Sequence, residues 1–175
     1  MSRVYVASDL HLGHVKMAER RGFETVEEHD EYIIKKWNSV VGKRDTVYVL
    51  GDITMENSLH YHKLSRLNGL IRVVGGNHDM PKDCTKLLNY VESVSGMIAY
   101  KGWILTHCPI HPSELRFRFK GNIHGHLHSN SLKDGRYVNV SMEVIDYTPV
   151  LISNLKVKKI SWFKKLIEKL LLLCL

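Results

Sequence analysis

Cysteine is scarce in this 175-residue chain, and the three present, Cys84, Cys108 and Cys174, are widely spaced and odd in number. That usage suits neither a disulfide framework nor a CxxC zinc cluster, and it points to a reducing, cytoplasmic setting. There is no low-complexity tract, no internal repeat and no Pro/Gly-rich linker, so a chain of this length is expected to form one globular domain. The residues before Ser8 hold a single arginine and no apolar stretch of signal-peptide length, so no export is expected. The longest leucine-rich run, Leu170 to Leu175, is far below the ~20 residues needed to span a bilayer.

Histidine, by contrast, is abundant at eleven residues, and it is the side chain most used to bind transition metals. The net charge of +7 is uneven: six lysines against Glu168 from Leu151 onward place +5 in the tail and leave +2 for the body. A nearly neutral body gives no case for nucleic acid as a partner, except as a substrate.

Apolar, β-rich runs at Arg3 to Ala7, Thr46 to Leu50, Leu70 to Val74, Met97 to Tyr100, Trp103 to Thr106, Gly121 to His124, Tyr137 to Val140 and Pro149 to Ile152 predict strands. Lys101-Gly102 and the Asp-Gly pair in Lys133 to Arg136 suit hairpin turns. Thr25 to Glu28 has the form of a capping box, and the spacing of Val26, Ile33, Trp37 and Val41 predicts a helix over 26–41. A second helix is expected from Ser58 to Leu67 and a short one after Asp83. The first half then reads β-helix-β-helix-β, a parallel sheet with crossovers.

The polar clusters fall just past strand ends, where open α/β sheets place their ligand sites. In order they are Asp9-Leu-His11-Leu-Gly-His14, Gly51-Asp52, Gly75-Gly-Asn77-His78-Asp79, Thr106-His107-Cys108-Pro109, and His124-Gly-His126-Leu-His128. Each alone is common in turns. Strand alternation would put Asp9 and His11 on one side, and paired glycines would let the backbone of the third cluster turn sharply toward a ligand.

In this order, from about Val4 to Pro149, the motifs closely resemble the calcineurin-like metallophosphoesterase superfamily. Asp9 to His14, Trp37-Asn38 ahead of a Gly-Asp strand, and Asn139-Val-Ser141 followed by Asp146-Tyr-Thr-Pro149 are similar to its small, single-domain bacterial and phage members. The residues alone say only α/β. The resemblance implies a four-layer α/β/β/α sandwich with two mixed β-sheets.

It further implies Asp9, His11 and His128 on one metal, Asn77, His107 and His126 on the other, and Asp52 bridging both. Imidazole and carboxylate donors suit Mn foremost, with Fe, Ni or Zn as alternatives. Two such ions can hold a hydroxide between them and aim it at phosphorus. His78 would act as the general acid with Asp79 orienting its ring, and Cys108 would pack without ligating. His14, Arg21, Arg116 and Asn77 are candidate substrate contacts, while His29, His60 and His62 read as helix residues away from every motif and His124 as a strand residue behind the site.

Protein phosphatases of the superfamily carry Gly-Asp-x-x-Asp-Arg-Gly, where this chain has Gly51-Asp52-Ile-Thr-Met-Glu-Asn57. A small phosphodiester or nucleotide is therefore the expected substrate, a phosphomonoester the next choice, and a non-catalytic interaction module the alternative of another class. The domain is expected to occupy residues 1–154. Residues 155–175 form a basic tail whose apolar and lysine faces from Trp162 suit an amphipathic helix, for self-association or for lying on a membrane surface.

Overall fold

The computed structural model describes residues 2–55, 57–116 and 118–158. Two sheets face one another. The first has the order β4-β3-β2-β1-β9, from Ser93–Ser95, Leu70–Val74, Thr46–Val49, Val4–Ala7 and Val150–Leu151. The four strands from β4 to β1 run parallel, and β9 pairs with β1 antiparallel. The second sheet has the order β5-β6-β7-β8, from Ile98–Tyr100, Trp103–Leu105, Gly121–His124 and Tyr137–Asn139. Here β5 and β6 are antiparallel while β6, β7 and β8 are parallel.

Alternation along each strand divides the core in two. Val6, Tyr48, Leu50 and Val74 turn toward Trp103, Leu105 and Ile123 and fill the space between the sheets. Tyr5, Ala7, Val47, Val49, Ile71 and Val73 turn the other way, onto helix α2 (Val26–Asn38), which covers them with Ile33, Ile34 and Trp37. Burying each large apolar side chain contributes about 1.5–3 kcal/mol. The opposite face of the second sheet is covered by the chain after β6. Its 3-10 turn, Pro112–Leu115, lies in a loop fastened by Ile110 N–H to Asn122 Oδ1 (3.1 Å) and by Tyr137 Oη–H to the Ile110 carbonyl (2.8 Å).

Helix α2 starts where the capping box requires. Thr25 Oγ1 accepts from Glu28 N–H, acids occupy the first turn, and Lys35 and Lys36 complement the dipole at the other end. It ends at Asn38, three residues short of expectation. Trp37 Nε1–H donates to the Asn68 carbonyl, and Asn38 bonds the Arg66 carbonyl and the Asn68 amide, so this pair ties α2 to the entry of β3.

Several expectations need correction. The helix expected over Ser58 to Leu67 is a 3-10 helix over Tyr61–Arg66. The Asp-Gly pair at 134–135 closes no hairpin, because β7 and β8 are parallel; Asp134 instead folds back on the amide and guanidinium of Arg136. Lys101-Gly102 does form one, with both residues at positive φ (46° and 80°), as a primed turn requires. Two elements were not anticipated: helix α1 (Val15–Arg20), with only Met17 and Ala18 buried, and β4, a polar Ser-Val-Ser edge strand with no apolar run to reveal it. Helix α3 (Cys84–Leu87) is the short helix expected after Asp83.

The chain past residue 154 still packs: Leu155 and Val157 lie against the inter-sheet core, and Lys158 N–H donates to the Gly135 carbonyl. The amphipathic helix expected from Trp162 lies outside the described residues. Among the described residues no helix is long and apolar enough to cross a membrane.

Candidate metal centre

The sheets meet at one end. Ser8, just past β1, bridges Ser141, just past β8, and Met142 N–H donates to the Ser8 carbonyl. This junction gathers the loops leaving β1, β2, β3, β6 and β7 on one side of the molecule, and those loops carry all seven expected ligands.

The backbone of these loops is unusual. Asp9 (φ 60°), His11 (51°), Asp52 (54°), His126 (68°) and His128 (48°) all lie in the left-handed region. Each such residue costs about 1 kcal/mol or more, and the cost persists only where the surroundings impose it. It also corrects the geometry expected for Asp9 and His11. Strand β1 ends at Ala7, so left-handed turns, not strand alternation, bring these side chains to one place. Two glycines allow the loops to close. A Cβ on Gly125 would strike Ser8 Oγ at 1.9 Å and Asp9 Oδ2 at 2.4 Å, and one on Gly51, itself at φ 85°, would strike Gly76 Cα and His107 Nδ1 at 2.6 Å.

The donors fall into two groups around Asp52. Ligand atoms of Asp9, His11 and His128 lie within 4.8 Å of one another, as do those of Asp9, Asp52 and His107. Asp52 Oδ2 sits between the groups, 3.7 Å from His11 Nε2 and 3.4 Å from His107 Nε2. On the far side, Asn77 Oδ1 is 2.8 Å from both His107 Nε2 and His126 Nδ1, and those two nitrogens are 3.2 Å apart.

These contacts fit a cation better than they fit each other. The Leu50 carbonyl can only accept, so His107 donates to it from Nδ1 (2.7 Å), which leaves the Nε2 lone pair of the neutral ring facing Asn77 Oδ1. A proton on His126 Nδ1 would have to be shared between two acceptors, Asn77 Oδ1 and His107 Nε2, whereas a divalent ion can take a lone pair from all three atoms. His11 is 1% exposed, and neither of its ring nitrogens has a hydrogen-bond partner. A buried unpartnered polar group costs about 1–3 kcal/mol, so this ring is placed for a ligand that is not part of the chain. The donor set therefore suits divalent transition metals.

The electrostatics agree. Burial, with Arg21 and His128 nearby, lowers the His11 pKa to about 2, so the ring is neutral at neutral pH and one of its nitrogens keeps a free lone pair. His128 is pushed up instead, chiefly by its bond to Glu143. Burial raises the Asp52 carboxyl against the pull of His107.

The remaining expected residues fall into place unevenly. His78 is half-buried, its N–H bonds Asp52 Oδ1 (3.0 Å), and its ring centroid is 5.9 Å from that of His11. Asp79, expected to orient His78, accepts the backbone N–H groups of Asp52 (2.8 Å), Gly76 (2.9 Å) and Ile53 (3.0 Å), and so fastens the second and third loops together. His14 lies beside His11, with ring centroids 5.8 Å apart. Arg116 is exposed, just past the 3-10 turn, where its backbone N–H donates to the Ser113 carbonyl.

Two expectations fail on burial. Cys108, expected to pack, is exposed, with Sγ within 4.8 Å of the ligand atoms of His107 and His126; burial of the thiol and the charges of Asp52 and Asp9 push its pKa up and keep it protonated. Arg21, expected to touch substrate, has a side chain only 1% exposed, and its guanidinium bonds the Asp9 and Leu10 carbonyls, His29 and Glu143. That leaves it facing protein on every side.

Other residues were missed. Glu143 accepts from His128 Nδ1–H (3.0 Å), and Asn139 Nδ2 bonds the His128 carbonyl (2.8 Å). His29, read as remote, is fully buried behind the first loop, and the His60 ring lies against Gly13. Only the Asn139-Val-Ser141 signature pointed to any of these.

No protein-family model matches the chain. It is 35% identical over 163 residues to the uncharacterized protein MJ1445 of Methanocaldococcus jannaschii, an alignment that covers 86% of this chain and 87% of the relative. It is also 35% identical to the gene 66 protein of Mycobacterium phage L5, covering 74% and 79%. Among solved structures, the protein of unknown function AQ665 from Aquifex aeolicus superposes with a TM-score of 0.65 at 22% identity, covering 97% of this chain and all of that one.

Proposed function

We propose that the chain, which belongs to one family with those archaeal and phage proteins, is a calcineurin-like metallophosphoesterase, a metal-dependent phosphoric ester hydrolase with a binuclear centre. The observation that carries this reading is the meeting of lone pairs at Asn77, His107 and His126 beside an unpartnered, buried His11, with the Asp52 carboxylate between them.

Asp9, His11 and His128 would hold one divalent ion, Asn77, His107 and His126 the other, and Asp52 both. Bound there, the ions would supply Lewis acidity, activating water and neutralising charge on the phosphoryl oxygens. The protein's own part is positioning. Leu50 fixes the His107 tautomer, Glu143 fixes that of His128, and Asp79 pins the loops that present Asp52 and Asn77. His78, anchored through its amide to Asp52, stands at the edge of the centre, from which its ring can protonate a leaving oxygen.

Asn77 and His126 are exposed, so one side of the centre is open to a substrate. A small phosphodiester or nucleotide is the preferred substrate and a phosphomonoester the alternative. Protein incubated with Mn²⁺ should hydrolyse bis-p-nitrophenyl phosphate faster than p-nitrophenyl phosphate, and a chelator should abolish both. The reverse preference would make it a monoesterase, and inertness with every first-row metal would remove the enzymatic reading. His78→Ala should lower kcat by about 10²–10⁴-fold with metal content unchanged; loss of metal would show that His78 is a ligand.

A further inference from the structure

Behind the buried half of the centre, the Glu143 that meets His128 belongs to a longer hydrogen-bonded chain. Arg21 Nε–H donates to Glu143 Oε1 (2.9 Å), and Glu143 Oε1 also accepts from His128 Nδ1–H (3.0 Å). The same guanidinium donates to the Asp9 carbonyl (2.7 Å) and the Leu10 carbonyl (3.1 Å), so one planar group grips both the loop that carries Asp9 and His11 and the carboxylate behind His128. Its remaining donor meets His29 Nε2 (2.9 Å). His29 in turn donates from Nδ1 to Asp30 Oδ1 (2.8 Å), and Asp30 Oδ2 accepts from Gly13 N–H (2.9 Å) and Lys63 Nζ (2.5 Å).

Asp9, His11 and His128 all stand at positive φ, and loops in that conformation hold only if something over-determines them. Arg21 and Asp30, with buried side chains, bond the first of these loops directly, and Arg21 reaches His128 through Glu143. The fork geometry matters, because a lysine ammonium is a point donor and cannot span carbonyls and carboxylate at once.

We infer that Arg21 and Glu143 are positioning residues for the Asp9/His11/His128 metal subsite, Glu143 by orienting His128 and Arg21 by holding Glu143 and the first loop in one frame. The inference rests on the binuclear reading. It predicts that disturbing either residue weakens one metal of two, since no bond of Arg21 or Glu143 reaches Asn77, His107 or His126.

The test is calorimetric and visible-absorption titration of the full chain with Co²⁺, comparing wild type, Glu143→Gln and Arg21→Lys, with the thermal midpoint of each metal-free protein measured alongside. Glu143→Gln keeps the side-chain shape and guards against a misfolded Arg21 variant. Wild type should take up two equivalents. In the variants one equivalent should weaken by about 10–100-fold, with an altered d–d spectrum for that equivalent alone, and the other should bind as before. A merely structural role would lower the thermal midpoint and weaken both equivalents together, and that result overturns the inference. Two unchanged equivalents in Glu143→Gln also overturn it while leaving the binuclear reading intact. If wild type binds no Co²⁺, the binuclear reading falls and takes the inference with it.

Discussion

The two halves of the candidate centre are built differently. On one side Asp9 and His11 are buried, at 0% and 1% exposure, and His128 is held from behind by Glu143 and Arg21. On the other, His107 is buried but Asn77, His126 and Cys108 are exposed. One half is a socket fixed by the core; the other is a rim facing solvent. A metal in the socket would be protected by packing, and one on the rim would be free to exchange and meet substrate. The socket also concentrates the cost, since it holds the unpartnered imidazole and three of the five left-handed ligands.

The largest effect should come from the residue that joins the halves. Asp52→Asn keeps size and tolerates the left-handed backbone, but it removes the charge between the subsites. It should lower kcat/KM by about 10²–10³-fold and weaken both metal equivalents. A variant that lost only one would show that Asp52 belongs to one half.

Next is the cost of the socket itself. His11→Leu removes a buried, unsatisfied ring, worth about 1–3 kcal/mol, but places leucine at φ 51°, which costs about 1–2 kcal/mol, so the metal-free protein should keep or slightly gain stability in chemical denaturation while losing the socket metal. A loss larger than that backbone cost would mean that His11 has a partner inside the fold.

The pH dependence gives a third test. The folded His11 pKa is about 2 against 6.5 for an ordinary histidine, so below 6.5 the unfolded chain takes up a proton that the folded chain refuses. Stability of the metal-free protein is therefore present above pH 6.5 and is lost as the pH falls below it, by about 1 kcal/mol per pH unit. His128 shifts the opposite way; its contribution is complete below 6.5 and is lost as the pH rises through its raised folded value. Denaturation from pH 7 to pH 5 should show the loss, and His11→Leu should flatten it. The smallest effect is kinetic: a chelator should remove the rim metal before the socket metal, seen by metal analysis as two phases. A single phase would erase the distinction between the halves.

Legibility from sequence follows the same divide. The seven donor residues could be read because each sits in a short motif after an apolar strand, a local pattern of Gly, Asp, Asn and His. The frame behind them could not. Arg21 sits just past the short helix α1, Glu143 lies in a loop 15 residues beyond His128, and His29 and Asp30 look like ordinary polar positions on an amphipathic helix. Apart from the adjacent His29–Asp30 pair, their bonds span 8 to 122 residues, so no local window contains the network. The exposed side of the centre drew the opposite error. Cys108 follows a buried strand and reads as core, yet the loop turns it outward.

By itself the sequence determined the α/β class, the main strands, the capped helix from Val26 and a set of candidate donors, because strand pattern, capping and short polar motifs are properties of neighbouring residues. Only the tertiary structure decided that β7 and β8 run parallel, that left-handed turns aim Asp9 and His11, and that Arg21 faces protein instead of substrate. Those outcomes depend on where the two sheets meet at Ser8 and Ser141, and that junction exists only once the 132 residues between them have folded.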